Sequence, residues 1–147
     1  MKLIPVDPSN ERHLAGLYDL LAERSPAQSI SHKKMPTWDQ HLAFVSVMDP
    51  ADGDMYSSYL GWRLVEVDGV IVGSIYLTQR HEIGISIFKA HQRKGFGPEA
   101  VVLMMKEYAH IGGPFYANIN PANEASRKMF EKLGFKTIQH TLALEAE

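Results

Sequence analysis

The residues of this chain whose types and spacing suggest chemistry cluster between His81 and Ala100. An apolar run (Ile83, Ile85, Ile87, Phe88), too short for a helix of its own, passes into Gln92, Arg93 and Lys94. Gly95 and Gly97 follow on either side of Phe96, and then Pro98 opens an apolar helical pattern. Strand, glycine turn and helix in that order present backbone N–H groups to an anion. Glycine lets the chain approach closely, and the first turn of a helix carries unpaired donors at its positive dipole end. A phosphate is the natural guest. Arg93 and Lys94 add two charges and Gln92 an amide beside it, and Pro98 suits the first helical position, where a missing N–H costs nothing.

Several other chemistries are excluded or disfavoured by what surrounds the turn. A P-loop requires Lys-Ser or Lys-Thr directly after its last glycine, and here Pro98-Glu99 follow. A dinucleotide fingerprint G-x-G-x-x-A is matched by Gly95, Gly97 and Ala100. It also asks for an acidic residue about 20 positions on, where Phe115, Tyr116, Ala117 and Asn118 stand. The 7 histidines show no H-x-x-x-H or H-E-x-x-H spacing and there is no cysteine, so no metal site, disulfide or thiolate nucleophile is expected. No G-x-S-x-G elbow is present.

The elements that must position the turn read as one domain over residues 1–147, long enough for a single sizeable core. A short strand is expected over residues 2–6. Leu14, Leu17, Tyr18 and Leu21 recur at helical spacing in an amphipathic helix over about 9–24. Residues 25–36 read as a loop, and Thr37 to Gln40 is a capping-box pattern starting a second helix. Residues 49–58 read as a polar loop. Asp68-Gly69 between two apolar runs is a strong hairpin signal that leads into the strand before the turn. After the helix that follows the turn, residues 115–119 read as a strand, about 121–133 as a helix stopped at Gly134, and 135–144 as a last strand or strand pair. The antiparallel meander argues further against a doubly wound dinucleotide domain. A formal charge of −2 offers no attraction to a nucleic-acid polyanion, so no such partner is expected. No apolar run approaches a membrane span and the first residues lack a signal-peptide core, so a cytoplasmic protein without membrane contact is expected.

Two stretches together, QRKGFG after the strand EIGISIF and NPANEASRKMFEKLGF further on, resemble the GNAT superfamily of N-acetyltransferases. In that family a Q/R-x-x-G-x-G/A turn holds the pyrophosphate of acetyl-CoA. The likeness covers the C-terminal half in detail and the rest in layout. It implies an α/β (α+β) fold: a mixed, mostly antiparallel twisted sheet with a splayed parallel strand pair, flanked by about four helices. It implies acetyl-CoA as co-substrate. The pantetheine arm would lie on the backbone of Ile85, Ser86 and Ile87, and the pyrophosphate on the turn formed by Gln92, Arg93, Lys94, Gly95, Phe96, Gly97 and Pro98.

The same resemblance assigns side chains. Asn123 falls on the asparagine that opens the family's last helix, and Glu131 to Phe135 reproduces its E-K-x-G-F tail. The tyrosine often found seven residues after that asparagine is here Phe130, which lines the thioester pocket in this alignment and has no proton to give. Some family members keep a catalytic glutamate at the start of the CoA-binding strand, working through water, and Glu82 stands there. Others place it where this chain has Asn118. Glu82 is therefore the expected general base, since an amine near pKa 10 must lose a proton before it attacks a thioester. The segment between the family's first two helices borders the acceptor, which makes His32, Lys33, Trp38 and His41 substrate candidates, with His81 and Asn118 at the strand ends. For Trp38 and His41 the alternative is simple packing at a helix start. The expected acceptor is a small-molecule primary amine such as an amino sugar, the expected oligomeric state monomer or homodimer. A protein or peptide acceptor, or a CoA-binding regulatory module without turnover, remain the competing readings.

Overall fold

The structure is a computed structural model and describes residues 1–24, 35–48 and 59–145. His32, Lys33 and the loop expected over 49–58 lie outside the described residues. The element order is β1 (Lys2–Pro5), α1 (Glu11–Glu23), α2 (Trp38–Met48), β2 (Gly61–Val67), β3 (Val70–Leu77), β4 (Ile83–Ile87), α3 (Phe96–Glu107) and α4 (Glu124–Lys132). Four strands form one sheet in the order β1-β2-β3-β4, every pair antiparallel. It is an α+β arrangement with helices on both faces.

Local signals explain most of these boundaries. Asn10 caps α1, its side chain accepting from the N–H groups of Arg12 and His13 at 3.0 and 3.3 Å. The capping box before α2 is closed in both directions: Thr37 N–H to Gln40 Oε1 at 2.9 Å and Gln40 N–H to Thr37 Oγ1 at 3.2 Å. The β2–β3 hairpin turns on Asp68 and Gly69 with φ of 50° and 78°, as a type I′ turn demands. Gly134 ends α4 at φ 99°, its N–H bonded to Glu131 O at 3.0 Å.

Two apolar clusters sandwich the sheet. Leu14 and Leu17 of α1 and Val45 of α2 pack on Trp62 and Leu64 on one face. Ala100, Val101 and Met104 of α3, with Phe130 of α4, cover Val65, Ile75, Leu77 and Ile83 on the other. A register shift decides which β3 side chains face which layer. Val65 pairs with Gly73 but Glu66 with Ile71, so one extra β3 residue is accommodated. Ile71 and Tyr76 both pack on the α1–α2 face because of it, although strict alternation would separate them.

Three expectations are corrected. The splayed parallel strand pair is not formed. Residues 115–119 make a single parallel bridge, Tyr116 to Glu82, in which Tyr116 N–H reaches His81 O at 2.9 Å and Ile83 N–H reaches Tyr116 O at 2.7 Å. Beyond it the chain turns away through Asn120 and Pro121, with Asn123 N–H bonded to Asn120 O at 2.8 Å. Residues 135–144 form no strand, since no sheet edge runs alongside them; Ile138, Leu142 and Leu144 are exposed. Finally, α3 starts at Phe96, so Pro98 is its third residue rather than its first. Its missing N–H still falls among the four that a helix start leaves without a partner.

Candidate active site

The glycine turn is built from two left-handed residues, Arg93 at φ 63° and Gly95 at φ 79°. Nothing lies within 4 Å of the position a Cβ would take on Gly95. The demand for glycine there is therefore conformational, and crowding has no part in it. Alternating left- and right-handed residues turn successive N–H groups toward one side, the geometry of an anion-binding nest. None of the backbone N–H groups of Arg93 to Gly97 has a partner among the described residues; the first bond of the helix is Glu99 N–H to Gly95 O at 3.4 Å. Gln92 props the turn on the strand through Nε2 to Ile87 O at 3.0 Å. Glu23 at the end of α1 ties it to the other layer, accepting from Lys89 N–H at 2.8 Å.

The second component is the free edge of β4. Thr78 N–H bonds Glu82 O at 2.9 Å and Phe88 N–H bonds Val72 O at 2.9 Å, so the even-numbered peptides of this strand face β3. Ile83 N–H points the other way, to Tyr116. By the two-residue alternation of a strand, Ile85 and Ile87 also turn their N–H and C=O groups away from β3. Ser86 does not: its main chain pairs with Ser74, and what it offers the cleft is a side chain.

Between this edge, the turn and α4 lies a cavity of about 750 Å³. Its wall contains Gly84 to Ile87, Gln92, Arg93, Gly95 to Pro98, Asn118, Asn123 and Phe130, together with Leu20, Glu23, Arg24 and Tyr76 from the α1 side. Lys94 is exposed and outside this wall. Asn123 is also the N-cap of α4, accepting from Ser126 N–H at 3.2 Å. Phe130 is 3% exposed and packs edge-on against Phe135 with ring centroids 5.0 Å apart, so it belongs to the core as much as to the cavity.

Glu82 is held at the closed end of the cleft. Thr78 Oγ1 donates to its Oε1 at 3.2 Å, Asn118 Nδ2 donates to its Oε2, and its own N–H reaches Thr78 Oγ1 at 3.0 Å. The carboxylate itself is not in the cavity wall; Asn118, bonded to it, is. The two positions that the sequence offered for a catalytic group thus meet in one hydrogen-bonded unit.

The remaining acceptor candidates sit elsewhere. His41 is 2% exposed and its Nε2 lies 3.0 Å from Leu14 O, joining α2 to α1. A carbonyl only accepts, so Nε2 carries the proton; burial holds the ring's pKa below its ordinary value, against a smaller opposing effect of the Leu14 bond. Trp38 packs edge-on to Tyr18 at 5.3 Å. Neither residue is in the cavity wall; His41 is buried between α1 and α2, while Trp38 keeps 41% of its surface exposed. His81 stands at φ 65° in the turn before β4, also outside the wall.

Sequence reasoning missed Thr78 and Tyr76. Thr78 precedes Glu82 by four residues in the β3–β4 turn, a spacing that was there to be read. Tyr76 gave no such signal, because its place depends on the bulge in β3 and on the register that sets it opposite Gly84.

Comparison with known proteins agrees with this architecture. The family model described as acetyltransferase (GNAT) domain matches residues 3–136. No curated protein matches the chain significantly by sequence. Among solved structures the chain is similar to the aminoglycoside N-acetyltransferase AAC(6')-Iy in complex with CoA. That match has 18% identity and a TM-score of 0.70, covering 99% of this chain and 93% of the other. It is also similar to the aminoglycoside 6'-N-acetyltransferase AAC(6')-IG from Acinetobacter haemolyticus, at 15% identity and TM-score 0.70 over 100% and 99%. A third, the ribosomal-protein-alanine N-acetyltransferase from Brucella melitensis, matches at 16% identity and TM-score 0.69 over 92% and 85%. At these identities the likeness is one of fold.

Proposed function

The chain belongs to the GNAT acetyltransferase domain family and is an acetyl-CoA-dependent N-acetyltransferase; we propose that it acetylates the primary amine of a small molecule, such as an amino sugar, by direct transfer with Glu82 as general base. The observation that carries this reading is the Thr78–Glu82–Asn118 unit at the end of the free β4 edge.

The residues present suit acetyl-CoA. Unpartnered N–H groups from Arg93 to Gly97 and the start of α3 suit the pyrophosphate. The peptide edges of Ile85 and Ile87 that face away from β3 suit the amide-rich pantetheine arm, much as an added strand, with the Ile87 carbonyl also accepting from Gln92 Nε2. Ser86 contributes its side chain only. When bound, acetyl-CoA supplies an activated acetyl thioester.

The protein's own part is to position, to remove a proton and to stabilise charge. Glu82, with both oxygens accepting hydrogen bonds, is oriented as a carboxylate and takes the amine proton through a water beside Asn118. The Ile85 N–H, which faces away from β3, would serve as a donor to the carbonyl oxygen as charge builds on it. Phe130 closes the apolar wall and leaves no acid there.

Two outcomes keep the alternatives separable. Calorimetry with acetyl-CoA, followed by a thiol-release assay against glucosamine, an aminoglycoside and a short peptide with a free N-terminus, should give heat and then CoA release with the small amines. Heat without thiol release from any of them would favour a CoA-binding regulatory module. Release with the peptide alone would favour a protein acceptor, the activity in the name of the Brucella protein.

A further inference from the structure

The side chain that the reaction as described leaves unused is Tyr76. It sits on β3 directly opposite Gly84 of β4, and its ring lies across that glycine: a methyl group on Gly84 would overlap both the ring and the hydroxyl. Glycine at position 84 is what lets the phenol cross the strand and enter the cavity wall. The ring has little freedom to move away, being stacked on Tyr59 at a centroid distance of 4.3 Å and an interplanar angle of 4°. Its hydroxyl has no hydrogen-bond partner among the described residues, although nearly every buried or half-buried phenol finds one.

We propose that Tyr76 is a further catalytic residue, whose hydroxyl donates a hydrogen bond to the thioester carbonyl oxygen at Gly84. This rests on the reading of Ile85 and Ile87 as the edge that receives the pantetheine arm. The arm enters from the turn beyond Ile87 and runs back along the strand. It cannot pass Ile83, whose N–H is already closed by Tyr116. Its reactive end therefore stops at Gly84, under the Tyr76 hydroxyl and next to the Glu82 cluster.

The chemistry calls for a donor that keeps its proton. Burial pushes the Tyr76 phenol above its ordinary value, Arg24 opposing and Glu82 adding to the effect, so the group is neutral throughout the working range. The attacking nitrogen bonds to the acyl carbon, the C–S pair leaves with sulfur, and the thiolate recovers the second nitrogen proton through solvent. Tyr76 takes no part in that exchange and acts as a fixed donor while the oxygen is most negative.

The test is the carbonyl stretch of [1-¹³C]acetyl-CoA bound to the wild type and to Tyr76→Phe, read by isotope-edited infrared difference spectroscopy. The hydroxyl bonds to nothing in the described chain, so the substitution keeps the stack on Tyr59 and removes only the donor. The carbonyl band should move to higher frequency in Tyr76→Phe, with acetyl-CoA affinity by calorimetry within threefold of wild type. An unchanged band overturns the proposal, as does a band that moves together with a tenfold or greater loss of affinity, which would make Tyr76 a general support of the cofactor site. If the wild type gives no heat with acetyl-CoA, the cofactor reading itself fails and the proposal with it.

Discussion

Glu82, the expected general base, and His41, an acceptor candidate with packing as its alternative, end in different surroundings. Glu82 keeps both oxygens in hydrogen bonds next to the cavity. Glu82→Gln preserves size and can still accept from Asn118, so acetyl-CoA affinity should be unchanged while kcat at pH 7 falls by roughly 10²–10⁴-fold, the usual contribution of a general base. Steady-state thiol release against calorimetry separates the two quantities, and a loss confined to the acceptor KM would make Glu82 a positioning residue instead. His41 is buried neutral, with its native pKa below the unfolded value of 6.5. The unfolded chain then binds more protons as pH drops, so the stability His41 contributes is fully present above about pH 6.5 and is lost as pH falls toward the lowered native pKa. Urea unfolding at pH 7 and pH 5 should show a smaller loss of stability in His41→Gln than in wild type.

The turn before α3 is the element on which the cofactor reading depends. Its donors are main-chain groups, so it tolerates change in Lys94, which is exposed, far better than change in its glycines. A Cβ on Gly97 would meet Met129 Sδ at 3.2 Å and Ile87 Cγ1 at 3.9 Å. Methionine yields readily, but a branched side chain there would crowd the cleft between the turn, β4 and α4. Gly97→Val should weaken acetyl-CoA binding tenfold or more, about 1.4 kcal/mol. Unchanged calorimetric affinity in a folded variant would remove this turn as the phosphate site. Glu23 extends the dependence to α1, since its bond to Lys89 N–H couples the last turn of that helix to the strand end beside the phosphate site.

The cavity lies where β4, the diverging residues 115–119, α4 and the end of α1 meet, so filling it ties both layers of the molecule together. Acetyl-CoA at 100 times its Kd should add about 2.7 kcal/mol to the stability of the folded state by mass action. For a chain of this length that raises Tm by roughly 5–11 °C, which differential scanning fluorimetry would register; no shift at saturating acetyl-CoA would contradict the cofactor site. Much of this architecture was legible in the sequence. Caps, the Asp68–Gly69 turn, the Gly134 stop and the strand–turn–helix unit are determined by φ preferences and donor counts within a few neighbouring residues, and such local rules are carried by residue type alone. What only the tertiary structure decided has a common physical cause: it depends on partners distant in the chain. Residues 115–119 and 135–144 carry strand-like patterns, yet a strand exists only where another edge lies beside it, and beyond Tyr116 none does. His41 pointed to the acceptor by position, and packing between α1 and α2 turned it inward. Tyr76 reaches the cleft through a one-residue bulge and a glycine on the neighbouring strand, a coincidence of register that no local pattern encodes.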